Sequence, residues 1–358
     1  MEYRSKKRDK QLDIYRALSM MYVLCVTHII YWFNTGTEPI RSLILIEMPI
    51  IFFISGAAVS LATPKPFWQT ITNRVKRVVV PYYIYALTIL VGIILLSILW
   101  YFFNQQLISA IGQELICKQT YDITAYQWQD IWNIITFHNI SQAHYMYHLW
   151  FIIPYLILTC TFSLQVNLMN KTNRWIYVSI CLIIFIIFQK IKVSDLLTTL
   201  LGYNIFMTIG YLFYRKIKIW QVICIFFLTT AIIVLHLTDG GFFCPMQNHK
   251  FPPDWLFVTY NLAILCFLSL IFWKTKIPYK TAFALWNTRG YTIYLYQSVV
   301  FFLVAPLNML FFCKIDILPI RWCICALLVW GLSTILSYIT YPFELYVMKK
   351  TRIIKEKK

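Results

Sequence analysis

Acidic residues are scarce in this chain of 358 residues. Only 14 Asp and Glu stand against 32 Lys and Arg, and charged residues together make up 13%. So little charge excludes a soluble domain, whose surface ordinarily needs about twice that share. Internal repeats and low-complexity stretches are absent. None of the ten cysteines forms a CxxC pair, which removes the commonest zinc and dithiol motifs. No A-x-A cleavage pattern follows the basic N-terminus and its long apolar run, so an uncleaved first span is expected rather than a signal peptide.

What fills the chain instead is apolar: 60% hydrophobic and 18% aromatic residues. Runs of about 20 such residues recur along its length, each able to cross a hydrocarbon core of about 30 Å. The expected fold is all-α, a polytopic integral membrane protein of about ten transmembrane helices. The spans are read at 14–33, 40–62, 79–103, 149–167, 175–190, 197–214, 219–237, 255–273, 285–306 and 319–346. A basic N-terminus (1–13), one ten-helix membrane domain (14–346) and a basic tail (347–358) follow from this reading. Asn104 to Tyr147 is the longest stretch outside a span and is expected as an outer loop.

Placing the N-terminus inside puts 23 of the 32 Lys and Arg on cytoplasmic segments: "RSKKRDK", "KPFWQTITNRVKR", "NKTNR", "YRKIK", "KTKIPYK" and "MKKTRIIKEKK". This is the positive-inside pattern, and it predicts that both termini are cytoplasmic. It also accounts for the net charge of +18 without nucleic acid, since the basic residues punctuate apolar spans rather than gather on one face. Most cysteines fall in spans as small packing residues. Cys117, Cys244 and Cys313 fall in outer loops, where an oxidising compartment would permit one disulfide.

Against this apolar background, ionisable residues inside spans stand out. "LDIYRALSMMYVLCVTHII" carries Asp13, Arg16 and His28 into the first span. A charge near a bilayer centre costs on the order of 2.5–3.5 kcal/mol on insertion scales, so such residues usually face a bundle interior or a cavity. Asp13 and Arg16, three apart, could equally be an interfacial pair that snorkels. His28 lies about 18 Å further along the helix, too deep for that explanation.

Four further stretches accompany it: "MPIIFFISGAAVSL" (Met48 to Leu61), "NRVKRVVVPYYIY" (Asn73 to Tyr85), "HYMYHLWFIIPYL" (His144 to Leu156) and "NTRGYTIYLYQ" (Asn287 to Gln297). In this order the sequence resembles the membrane-bound acyltransferase 3 family over nearly its whole length. The resemblance implies transfer of an acyl group, usually acetyl, from cytoplasmic acyl-CoA to a hydroxyl of a cell-surface glycan or lipid-linked sugar. It implies no permanently bound cofactor; acyl-CoA is the donor substrate, and the acceptor glycan and membrane lipids are the other partners. A multi-pass location in a plasma membrane, such as a bacterial inner membrane, follows. Carried over by position, Arg16 and His28 match the first-helix pair, Phe53, Ser55 and Gly56 the second-helix motif, and Arg74 and Arg77 an RxxR pair. His148 and Trp150 match an HLWF-like segment, and Gln297 stands where many relatives have histidine. Relatives usually place ten residues between the first-helix Arg and His; here there are eleven. A π-bulge would absorb the additional residue.

The chemistry fits these assignments without the family. Acyl transfer needs a base for the hydroxyl proton, donors for the tetrahedral oxyanion and cations for the donor's phosphates. His28 suits the first role. Arg74 and Arg77, three apart at a cytoplasmic helix mouth, suit the last, although the same charges could serve topology alone. Arg16 could bind phosphate, orient the thioester or pair with Asp13. His148, Trp150, Gln297 and Ser55 are read as acceptor-site residues. Ser55 lacks a G-x-S-x-G elbow and is better read, with Gly56, as permitting close helix contact. His144 and His148, with His138 nearby, have helical metal spacing, but no carboxylate or cysteine completes a set, so no metal is expected. Asp239, His249 and Asp254 in an outer loop could bind sugar. The competing function is a transporter or flippase of a glycan precursor, which buried charges among ten helices would also serve.

Overall fold

The computed structural model describes residues 9–63, 66–102, 128–137, 146–273 and 275–356. Cys117, His138 and His144 lie outside the described residues. The described elements are all helices: α1 (Lys10–Trp32), α2 (Ile40–Leu61), α3 (Phe67–Phe102), α4 (Trp128–Thr136), α5 (Tyr147–Lys171), α6 (Arg174–Ile191), α7 (Asp195–Phe213), α8 (Ile219–Thr238), α9 (Trp255–Ile271), α10 (Thr281–Leu310) and α11 (Leu318–Glu356). Helices stand at each of the ten expected span positions. Among the described residues, eight are long and apolar enough by length and composition to cross a membrane. The remaining two positions hold α9, an apolar helix of 17 residues, and α10, of 30 residues. α11 runs on from the last expected span without a break to Glu356 and so takes in most of the basic tail. Exposed Ile180, Ile183 and Ile187 on α6, and Phe227, Leu228 and Leu235 on α8, give these helices apolar outer faces. Helices apolar on their outer as well as their inner faces belong in lipid, where their own ladders satisfy the backbone.

The chain divides into two compact units, Met1–Val23 with Gly36–Ile71 and Ile157–Asn287, and Leu24–Thr35 with Thr72–Leu156 and Thr288–Lys358. In the first unit α2 and α7 approach until backbones touch. A Cβ on Gly56 would lie 1.8 Å from the Met207 carbonyl oxygen, and one on Gly210 would lie 2.0 Å from that of Phe53. Only glycine fits at either crossing, and Phe52 stacks on Tyr203 beside it, with ring centroids 4.9 Å apart. Ser55 is buried and donates to the Ile51 carbonyl at 2.9 Å, one turn back.

The loop before α9 is tied down rather than solvated. Lys250 and Glu47 form a buried ion pair, and the Met246 amide donates to Ser42 Oγ at 2.8 Å. Asp254 caps α9 through the Phe257 amide at 2.9 Å and meets His249 Nδ1 at 2.5 Å, so two of the three residues read as possible sugar ligands help to hold the loop. Asp9 caps α1 by accepting from the Gln11 and Leu12 amides, and it pairs with Arg215 at 3.0 Å. Burial, and then Asp9, push the Tyr214 hydroxyl up to about 12, so it remains a donor to Asp9 at 3.3 Å.

In the second unit the stretch expected as an outer loop contributes α4, which packs on α3. Tyr82 and Tyr83 hydroxyls donate to the Ile134 and Ile135 carbonyls, each at 2.7 Å, and Phe137 stacks on Tyr82 at 4.5 Å. Those tyrosines lie near the middle of α3, so α4 packs along that helix. The physical reason is that α4 is strongly one-sided: Asn133 and Ile134 are buried while Trp132 and Ile135 are exposed. A short helix of that kind needs a partner to cover one face.

Candidate active site

The first helix carries the irregularity that the eleven-residue interval called for. It is α-helical over Lys10–Tyr22, forms a π-helical turn over Val23–Thr27, and resumes as an α-helix over His28–Trp32. A π-turn holds more residues per turn than an α-turn, so the added residue is taken up immediately before His28. Asp13 and Arg16 fall in the first unit, where their side chains approach to 3.8 Å. Asp13 is largely buried, whereas the Arg16 side chain is 41% exposed, which leaves much of its guanidinium accessible.

His28 belongs to the second unit and sits in an aromatic cage. Its ring stacks on Trp32 at 4.4 Å, one helical turn on, and lies 5.8 Å from the ring of Tyr294 on α10. The same two rings meet His148, from the 3₁₀ turn that opens α5: Trp32 at 6.2 Å and Tyr294 at 5.2 Å. Two imidazoles far apart in sequence thus share two aromatic walls. The Tyr294 hydroxyl donates to the His148 carbonyl at 2.8 Å, fixing that turn against α10. Tyr85 of α3 presents its edge to His148 at 6.3 Å and bonds Ser298 at 2.7 Å.

The polar groups in this region are unevenly satisfied. Gln297 is wholly buried, yet neither of its amide atoms has a hydrogen-bond partner, whereas the buried His148 ring lies against the backbone of Tyr294 and Leu295. Buried polar atoms are almost always paired, and each one left alone costs about 1–3 kcal/mol. Such orphans belong where a ligand or water is to supply the missing partner. Gln297 stands three residues beyond Tyr294 on α10. Trp150 is half-buried beside Phe151, their ring centroids 6.3 Å apart.

The family model described as an acyltransferase domain, acyltransferase 3, matches residues 9–342. The chain belongs to that family. Neither a curated protein nor a solved structure matches it significantly. As a member of acyltransferase 3, the protein is a multi-pass membrane acyltransferase.

Within this acyltransferase the sequence-assigned residues fall in two places. Asp13, Arg16 and Ser55 lie in the first unit. His28, Arg74, Arg77, His148, Trp150 and Gln297 lie in the second. Arg74 is half-buried and Arg77 exposed near the start of α3, and among the described residues neither forms an ion pair. Sequence reasoning missed Trp32, Tyr85, Tyr294 and Ser298. The signal was present in their spacing: Trp32 follows His28 by four, and Tyr294, Gln297 and Ser298 fall at i, i+3 and i+4, one face of a helix. Among the described residues no three of His, Cys, Asp or Glu gather as a metal set.

Proposed function

We propose that this acyltransferase moves an acyl group, acetyl in the simplest case, from cytoplasmic acyl-CoA to a hydroxyl of a glycan or lipid-linked sugar. The observation that carries this reading is the cage of the second unit, in which His28 and His148 share Trp32 and Tyr294 while Gln297 keeps a buried, unpartnered amide.

In this mechanism the sugar oxygen attacks the thioester carbonyl carbon and its proton passes to His28. The tetrahedral intermediate carries its negative charge on the former carbonyl oxygen. Gln297 Nε2 is the donor on offer to it, preorganised by burial. Collapse breaks the C–S bond, His28 returns the proton to the departing sulfur, and an ester and free CoA result. Stacking on Trp32 restrains the His28 ring, which keeps one nitrogen directed at the reacting hydroxyl. Arg74 and Arg77 grip the donor's phosphates at the basic end of α3, with both termini of the chain on that cytoplasmic side.

The test is direct. Protein purified into lipid nanodiscs is incubated with radiolabelled acetyl-CoA and an extract of membrane glycans. Label passing to glycan, with release of CoA thiol, is the expected outcome. Passage of unlabelled glycan precursor across a vesicle membrane with no acetyl transfer would replace this reading with that of a flippase.

A further inference from the structure

Arg289 and Tyr291, in the "NTRGYTIYLYQ" stretch, have no part in the site above. The guanidinium carbon of Arg289 lies 3.8 Å from the ring centroid of Tyr338 and 4.6 Å from that of Tyr341, both on α11. Held by two π faces, the cation leaves Nη1 buried without a hydrogen-bond partner. Two residues on, the hydroxyl of Tyr291 is likewise buried and unpartnered. Within electrostatic reach of it are Tyr82 of α3, Tyr155 of α5 and Glu344 of α11. Glu344 is buried, and its oxygens share the hydroxyl proton of Thr292 at 2.9 and 3.0 Å. All of these residues belong to the second unit.

Two buried donors with no acceptor mark a place where an acceptor is to be brought in. Its chemistry is constrained by Glu344, which acts electrostatically on both Arg289 and Tyr291: the carboxylate already balances the guanidinium, so an anion brought in would add an uncompensated buried charge. Neutral carbonyls, one for the N–H and one for the O–H, satisfy these donors without adding negative charge. Acyl-CoA is anionic in its nucleotide half, but the pantetheine arm between phosphates and thioester is neutral and carries two amides.

We propose that Arg289 and Tyr291 form the subsite that binds the amide carbonyls of the donor's pantetheine arm. The proposal rests on the acyl-CoA reading above. It divides donor recognition between two groups of residues: Arg74 and Arg77 for the phosphates, and Arg289 and Tyr291 for the arm that leads to the thioester.

Two probes separate these contributions: a nonhydrolysable acyl-CoA analogue, and the same molecule cut back to its acyl-pantetheine half. Affinities are measured on the full chain in nanodiscs, the smaller probe by competition. Tyr291→Phe removes one oxygen and keeps the ring, so it spares the fold. It is expected to weaken both probes by the same factor, about three- to tenfold, the scale of one neutral hydrogen bond. Arg289→Gln, which keeps a planar donor but loses the charge and the stacking, is expected to weaken both at least as much. By contrast, Arg74→Ala is expected to weaken only the intact analogue. If wild type binds the intact analogue and Tyr291→Phe changes neither affinity, the subsite is overturned while the acyl-CoA reading stands. It is overturned equally if only the intact analogue weakens, or if the pantetheine half does not compete. Failure of wild type to bind the intact analogue would overturn the acyl-CoA reading, and this subsite with it.

Discussion

Replacing Gln297 with leucine separates a catalytic amide from a merely structural one, because the two roles predict opposite signs. The side chain is wholly buried, and both its oxygen and its nitrogen lack partners. Leucine is close in size and carries no polar atoms, so Gln297→Leu removes two unsatisfied groups at little steric cost. At about 1–3 kcal/mol for each group, the variant should unfold in denaturant at the same or higher concentration than wild type. If Gln297 donates to the oxyanion, CoA release from acetyl-CoA should fall by about 10²–10³, the effect of losing one such donor. Stability and turnover are measured on one nanodisc preparation. The reasoning is refuted by a variant that loses stability and keeps wild-type turnover, since that pattern belongs to an amide already satisfied within the fold. Gln297→Met adds a control: it keeps the length of the side chain but carries no N–H donor, and turnover should not recover.

His28→Ala should lower turnover by roughly 10²–10⁴ while the protein stays folded, and a variant with wild-type turnover would end its assignment as base. Arg74→Ala and Arg77→Ala should each weaken acyl-CoA binding by roughly ten- to a hundredfold in calorimetry, with lysine restoring only part because it lacks the planar fork. Full rescue by lysine would reduce the pair to a role in topology. Removing one partner of the buried Glu47–Lys250 ion pair, as in Lys250→Met, should cost about 3–5 kcal/mol. The double variant Glu47→Leu with Lys250→Met should regain most of it, and a double variant no more stable than Lys250→Met would show that the pair is not what holds that loop.

Much of the architecture can be read from the chain because lipid leaves it few options. A backbone in hydrocarbon must satisfy its own hydrogen bonds, so runs of about 20 apolar residues become helices wherever they occur, and all ten expected positions hold one. The eleven residues between Arg16 and His28 likewise determined a local feature: helical phase is arithmetic, and the π-turn at Val23–Thr27 takes up the residue where the count required it. The second-helix Gly56 signalled a close helix crossing for a similar reason, since only a residue without Cβ admits a backbone at that distance. Family membership was legible too, because the order of short motifs survives in one dimension.

Partnership between distant segments was not legible, because periodicity says which face of a helix is special but not what will cover it. The stretch from Asn104 to Tyr147 shows this: the carbonyls of Ile134 and Ile135 meet Tyr82 and Tyr83, and nothing in the local sequence of α4 names α3 as its partner. Asp254 and His249 read in the sequence only as possible sugar ligands of a loop; the fold joins them to each other and to the start of α9. The cage itself is tertiary in the same sense. His28, His148 and Tyr294 come from three helices, and only their packing decides that two imidazoles share the same rings while Gln297, an ordinary polar residue in the sequence, is buried with nothing to bond. Sequence decides where backbone hydrogen bonds close, because that is a local requirement; which side chains are left unsatisfied depends on every neighbour at once.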